Sequence, residues 1–220
     1  MNASNFDLAR ENMVEHQVRP WDVVEPNVLN TLTAINRDAF VPTALQSLAY
    51  ADTAIPLNEN VSMMHPVVEG RLLQALDIQP RDEILEIGSG SGYITACLAH
   101  MGAHVDAYEI DAELAAKAEE TLHNQHIYNV NIIAEDGVSH FTTRKTYNAI
   151  AITGSMSDVS NAHKHALAVG GRLFVISGDA PAMRAHIITR TGTDSWTDNI
   201  LFETVVAPLQ HATKDEVFSL

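Results

Sequence analysis

The stretch Ile84-Leu85-Glu86-Ile87-Gly88-Ser89-Gly90-Ser91-Gly92-Tyr93 decides the fold. Ile84 to Ile87 is a short apolar run that predicts a strand, three glycines follow at alternate positions, and Gly92 to His100 predicts a helix. Glycine in such a turn permits positive φ and lets a ligand come close to the backbone. The helix start behind it offers free amide donors. Strand, glycine turn and helix in this order recur in nucleotide-binding α/β domains.

The spacing narrows the ligand. A dinucleotide fingerprint would place its third glycine at position 93, where this chain has Tyr93, and Gly92 comes one residue early. Three alternate glycines with Glu86 two residues ahead suit an S-adenosylmethionine pocket better. A carboxylate there attracts the cationic amino-acid end of that cofactor, and would sit poorly beside a pyrophosphate. Glu86, Gly88, Ser89, Gly90 and Gly92 are therefore cofactor-binding candidates.

Working outward, the texture is alternating strand and helix. Val105 to Glu109 predicts a second strand, Ala112 to Asn124 a helix with Asp111 as its N-cap, and Val130 to Ile133 a third strand. Tyr147 to Ile152 predicts a fourth, then comes a helix through Leu167, and Arg172 to Ser177 a fifth. Alternation of this kind implies a doubly wound, mostly parallel sheet with right-handed crossovers. Glu109 ends the second strand, 21 residues after Gly88, where a carboxylate can accept both ribose hydroxyls. Asp136-Gly137 follows the third strand, where an acid can accept from the adenine amino group. Each acid alone reads equally as a solvated loop residue or a helix cap. Three acids at successive strand ends converge on one crevice.

The two ends of the chain differ from this middle. Residues 1–57 form an expected helical N-terminal extension, in which Val28, Leu32 and Ile35 share one helix face and Pro26 suits a first turn. Residues 58–209 form the expected cofactor-binding domain. Within it, Val67 to Leu76 predicts a helix, and Ala185 to Arg190 and Ile200 to Val206 predict an antiparallel hairpin around Thr191-Gly192-Thr193-Asp194. Residues 210–220 are expected to be a tail, loose from Lys214 onward.

Composition bounds the function. With 220 residues, 46% hydrophobic and 19% charged, the chain should bury roughly 70% of its unfolded surface without staples. Thirteen basic against 28 acidic residues give a formal charge of −15, which disfavours a nucleic-acid partner. Neither a signal peptide nor a membrane span is legible, so cytoplasm is the expected compartment. The lone Cys97, within an apolar helix run, is expected to be a packed residue in a reducing setting. The 11 histidines, including the pairs His163/His165 and His123/His126, lack metal-site spacing. They read as surface or helix-end residues, and no metal is expected.

At this point the chain resembles the protein-L-isoaspartate (D-aspartate) O-methyltransferases over about residues 13–209. Met13-Val14-Glu15-His16-Gln17-Val18 resembles that family's opening Met-Val-x-x-Gln-Leu, and Arg37-Asp38-Ala39-Phe40-Val41-Pro42 its Pro-Arg-x-x-Phe-Val-Pro. Ala49-Tyr50-Ala51-Asp52 is similar to its Ala-Tyr-x-Asp. Leu85 to Tyr93 is nearly its cofactor motif, and Glu135-Asp136-Gly137 is similar to its Gly-Asp-Gly. The family's substrate-side Gln-Thr-Ile-Ser-x-Pro-His corresponds to Glu59-Asn60-Val61-Ser62-Met63-Met64-His65, which keeps the serine and the histidine. Its Thr-Ala-Ala reads Thr153-Gly154-Ser155, and its closing Phe-Val-Pro-Leu reads Val206-Ala207-Pro208-Leu209.

The resemblance implies a Rossmann-like methyltransferase fold, S-adenosylmethionine as cofactor with S-adenosylhomocysteine as product, and a protein or peptide carrying an isoaspartyl residue as partner. It makes Ser62 the catalytic candidate and Val61, His65 and Pro208 substrate-binding candidates. Without it, Ser62 reads as a helix N-cap and His65 as an ordinary near-helix histidine. Three alternatives stand beside the repair-type carboxyl methyltransferase. They are a same-fold enzyme for a small-molecule carboxylate, a non-catalytic S-adenosylmethionine-binding module, and an NAD-dependent oxidoreductase, which Tyr93 and Glu86 disfavour.

Overall fold

A computed structural model describes residues 3–139 and 141–212, so the expected tail from Lys214 to Leu220 lies outside the described residues. Helix α1 (Ala3–Asn12) runs without a break into a π-helical turn over Met13–Val18 and a 3-10 turn over Arg19–Trp21. Helix α2 (Pro26–Ala34) starts on Pro26, whose missing N–H costs nothing at a first position. Two further 3-10 turns, Arg37–Phe40 and Thr43–Leu48, lead to a small antiparallel hairpin of β1 (Ile55–Pro56) and β2 (Ser62–Met63). The boundary expected at 57/58 falls in the turn of that hairpin. Helix α3 (Pro66–Leu76) follows, with His65 as its N-cap residue. Ser62 is therefore not a helix cap but a strand residue.

The alternating part comprises β3 (Glu83–Ile87), α4 (Tyr93–Met101), β4 (His104–Tyr108), α5 (Ala112–Asn124), β5 (Val130–Ile133), β6 (Tyr147–Met156), α6 (Asn161–Ala166) and β7 (Leu167–Ser177). Strands β8 (Arg184–Gly192) and β9 (Ser195–Glu203) close the sheet. Its order is β5-β4-β3-β6-β7-β8-β9, parallel from β5 through β7 and antiparallel across β7–β8 and β8–β9. The chain leaves β3 toward β4 and β5, then returns to β3's other side with β6. That reversal opens a crevice beyond the carboxyl ends of the strands.

Local sequence explains the central elements. From Ile84 to Ile87 no residue of β3 is more than 2% exposed, because helices cover both faces of the sheet, which favours apolar residues at all positions but Glu86. Asp111 caps α5 by accepting from the Glu113 and Leu114 amides. Leu114, Ala115, Ala118 and Leu122 then form the buried stripe of that helix. Cys97 is fully buried in α4, as expected of a packing residue, and burial pushes its thiol pKa up.

Three expectations need correction. Strand β7 begins at Leu167, not Arg172, because Gly170, at φ +85°, and Gly171 let the backbone bulge between the Tyr147–Leu167 and Ala149–Arg172 pairs. Strand β9 begins at Ser195 and ends at Glu203, so the predicted run to Val206 is displaced. Gly192 pairs with Ser195, which confines the turn to Thr193 and Asp194. Residues 204–209 leave the hairpin because Ser155 on β6 captures them, with bonds of 3.0 Å from its amide to Ala207 O and from the Leu209 amide to its carbonyl. Finally, His163 is a helix-end residue, in the last turn of α6, but it is fully buried and not on the surface.

One apolar core joins the two expected parts. Met13, Val14, Val18 and Leu32 of the extension belong to the same buried cluster as Leu72, Leu73, Ile84 and Leu98. Among the described residues no helix is long and apolar enough to cross a membrane.

Candidate active site

The crevice beyond β3, β4 and β6 holds a cavity of about 560 Å³. The turn after β3 forms its floor, with Gly88 at φ +92° and Gly90 at φ +52°. A Cβ added at Gly88 would stand 2.7 Å from Leu209 Cδ2 and 3.0 Å from Thr153 Oγ1, so both the backbone and the space demand glycine. Thr153 fixes this turn, donating to Ile87 O at 2.9 Å and to Gly88 O at 2.5 Å. Of the cofactor candidates, Glu86, Gly88, Ser89, Gly90, Glu109, Asp136 and Gly137 all line the cavity.

Gly92 does not. Its φ is +84°, and a Cβ there would meet Ala118 Cβ at 3.2 Å and Leu122 Cδ1 at 3.4 Å on α5. Its job is helix packing at the start of α4. Gly92→Ala should therefore cost about 1–2 kcal/mol of stability, while S-adenosylmethionine affinity, measured by calorimetry on the folded fraction, stays put. A selective loss of affinity would return Gly92 to the binding site.

Glu86 is the most unusual group here. Its side chain is fully buried, Oε2 accepts from Thr95 Oγ1 at 2.5 Å, and Oε1 has no partner among the described residues. Burial pushes its pKa up to about 8; the Thr95 bond opposes this shift and nearby Glu109 adds to it. A buried acid with one unpaired oxygen facing a cavity is short of a cation or a donor. Ser89 Oγ is likewise buried and unpartnered. S-adenosylmethionine, which carries a sulfonium and an ammonium, fits that deficit. NAD, with its anionic pyrophosphate, does not.

Glu109 and Asp136 complete the acidic rim. Glu109 Oε2 accepts from the Gly90 amide at 2.8 Å and Oε1 from the Asp111 amide at 3.1 Å, so it ties the glycine turn to the start of α5. Asp136 Oδ1 accepts from the Val138 and Ser139 amides at 2.8 and 3.0 Å, while Oδ2 takes Ser139 Oγ and, at 2.7 Å, His211 Nδ1. Burial pulls the Asp136 pKa upward, but these bonds outweigh it and hold the carboxyl well below the usual range.

Ser62 and Val61 reach the same cavity from above, on the β1–β2 hairpin. Asn58 shapes its turn by accepting from the Asn60 and Val61 amides at 2.9 and 2.8 Å. Its Nδ2 also donates to Asp111 Oδ2 at 3.3 Å, anchoring the hairpin over α5. Among the described residues no hydrogen bond ties down the Ser62 hydroxyl. Pro208 lies opposite, held by its bridge to Ser155. A second cavity of about 330 Å³ adjoins the first, and Ser62, Thr153 and Pro208 belong to both walls. His65 lines the second cavity and not the first; its Nδ1 is 3.4 Å from Asp52 Oδ1.

Several residues that hold the site carried no assigned role in the sequence reading. Arg37, fully buried, forms a two-pronged pair with Glu69 at 3.0 Å each and donates to Ala49 O and Met64 O at 2.7 and 2.8 Å. It thus fixes the chain just after Ser62. His163 Nε2–H donates to Gly137 O at 2.8 Å, and the ring stacks on Phe141 with centroids 4.6 Å apart. Burial lowers its pKa. Arg37 had a signal in its motif, whereas His163 had none, since its partner lies 26 positions away.

The strand–glycine turn–helix floor, the acids at successive strand ends and the antiparallel finish to a parallel sheet define a Rossmann-like, S-adenosylmethionine-dependent methyltransferase. The sequence profile of the protein-L-isoaspartate(D-aspartate) O-methyltransferase family matches residues 9–214. A protein-L-isoaspartate O-methyltransferase of Geobacter metallireducens is 34% identical over 175 residues, 80% of this chain and 81% of the relative. One of Gloeobacter violaceus is 35% identical over 180 residues, 81% of this chain and 88% of the relative. A Plasmodium falciparum structure described as a protein-L-isoaspartate O-methyltransferase with S-adenosyl-L-homocysteine superposes with TM-score 0.76 at 20% identity, covering 93% of this chain and 98% of that one. The chain belongs to the protein-L-isoaspartate(D-aspartate) O-methyltransferase family.

Proposed function

We propose that the protein methylates the free carboxylate of L-isoaspartyl residues in damaged polypeptides, with Ser62 positioning the acceptor. The observation that carries this reading is the placement of an untethered Ser62 hydroxyl on the wall shared by the Glu86 cavity and its neighbour. When bound, S-adenosylmethionine supplies a methyl group already activated by the sulfonium charge, and transfer leaves a methyl ester and a neutral thioether. A carboxylate is ionised at neutral pH and is already a nucleophile, so no general base is needed. The work left to the chain is alignment, with reacting atoms about 3–3.5 Å apart.

In this scheme Glu86 holds the cationic amino-acid end of the cofactor and Glu109 the ribose. Asp136 and Gly137 border the adenine. Ser62 donates to one acceptor oxygen, while Val61, His65 and Pro208 bound the acceptor's path. A cytoplasmic setting is supported by the single, buried Cys97.

The test is labelled-methyl transfer to an isoaspartyl peptide beside its aspartyl twin. Methylation of the first alone is expected. Ser62→Ala should lower kcat about ten- to a hundredfold, the scale of one charge-assisted hydrogen bond, and leave cofactor affinity nearly unchanged. Equal losses of turnover and of cofactor affinity would remove Ser62 from the acceptor side.

A further inference from the structure

The second cavity does not end at His65. A third, of about 260 Å³, shares His65 and Val205 with it and runs out to Trp21. Its base is α3, where Val67 and Val68 are buried, and its far wall is the end of β9 with the residues after it. Two large apolar side chains stand at its mouth, Trp21 at 52% and Val205 at 51% exposure. The Trp21 backbone is not loose: Arg71 Nη1 donates to Trp21 O at 2.9 Å, and the Arg71 guanidinium lies 4.6 Å from the Phe202 ring centroid. A half-exposed tryptophan on a fixed backing, beside a half-exposed valine and a concave apolar base, is the composition of a binding hot spot.

We propose that this cleft receives an apolar side chain of the acceptor polypeptide, one or a few residues from the carboxylate being methylated. The inference rests on the proposed function, since only a chain acceptor extends beyond the residue at Ser62. Continuity selects this occupant. An extended chain advances about 3.3 Å per residue, and the second and third cavities, which share His65 and Val205, lead without a break from Ser62 to Trp21. The cleft therefore reads sequence context, independently of the groups that hold the methyl donor.

The test uses two isoaspartyl peptides that differ only in the flanking residues, leucine or phenylalanine in one and serine in the other. The intact protein should show a KM roughly tenfold lower for the apolar-flanked peptide, from burial of that one side chain, with kcat alike. Trp21→Ser should erase most of this difference. The KM for the serine-flanked peptide, the affinity for S-adenosylmethionine and the Tm should stay as they were. Equal KM values for the two peptides in the intact protein, or a preference that survives Trp21→Ser, would overturn the inference alone. Failure to methylate either peptide while the cofactor binds would overturn the proposed function and this inference with it. A dimer in light scattering that Trp21→Ser dissolves would assign the cleft to a second copy of the chain instead.

Discussion

Arg37→Ala is expected to destabilise the fold by about 3–5 kcal/mol, the cost of leaving one member of a buried ion pair alone. Side-chain exposure is 0% for Arg37 and 2% for Glu69, so water cannot replace the lost partner. Burial works against the Arg37 charge, but Glu69 more than compensates, and the guanidinium stays charged. Denaturant unfolding at constant m-value measures the loss, and a loss below about 1 kcal/mol would contradict the assignment. Arg37→Met combined with Glu69→Leu separates two roles. Because no charge is then stranded, much of the stability should return. The carbonyls of Ala49 and Met64 still lack their donor, so the strand carrying Ser62 should remain loosened and kcat should stay depressed.

Glu86→Gln should weaken S-adenosylmethionine binding about ten- to a hundredfold, since a neutral amide replaces the group that pairs with a buried cation. Proton linkage gives a second readout. With its pKa at about 8, Glu86 carries a proton at pH 7 in the ligand-free protein, and a bound cation favours its ionised form. Binding at pH 7 should thus release close to one proton, seen by calorimetry in buffers of different ionisation enthalpy, and affinity should rise as pH approaches 8. Glu86→Gln should abolish the release; persistence of proton release in that variant would point to another group. The sign for stability is opposite to that of an ordinary salt-bridged acid. Between about pH 4.3, the unperturbed value, and about pH 8, unfolding releases the Glu86 proton, so the ligand-free fold loses stability as pH rises. That slope should flatten in Glu86→Gln.

How much of this was legible in the sequence depended on where each residue's partner lies. The strand Ile84–Ile87 was readable because a central strand covered on both faces is almost wholly apolar, with Glu86 as its one functional exception. Asp111 was readable because its partners, the Glu113 and Leu114 amides, are next to it. The start of β9 was hidden. Thr197, Asp198 and Asn199 lie on an exposed edge strand, where no alternation of apolar and polar residues is required. The glycine spacing located the cavity floor, but spacing cannot say which neighbour needs the missing side chain. For Gly88 it is Leu209 and Thr153, whereas for Gly92 it is α5. The candidate acids and Ser62 were visible as residue types at strand ends and in a motif. Arg37 and Thr153 stood in recognisable motifs, but the partners through which they hold the site, Glu69 and Ile87, lie 32 and 66 positions away, and His163 reaches Gly137 across 26 positions with no motif to mark it.

The core shared by the N-terminal helices and one face of the sheet limits how such a protein can diversify. Met13, Val18 and Leu32 share a buried cluster with Ile84 and Leu98, so exchanging the extension between relatives would also have to repack the sheet beneath it. On the proposed function, new acceptor preferences would instead be written residue by residue in the segments 59–65 and 206–209, which line the cavities and which the core supports. This chain departs from its family's motifs at 59–65, at 206–209 and at Gly154-Ser155, while the glycine turn beneath them stays nearly intact.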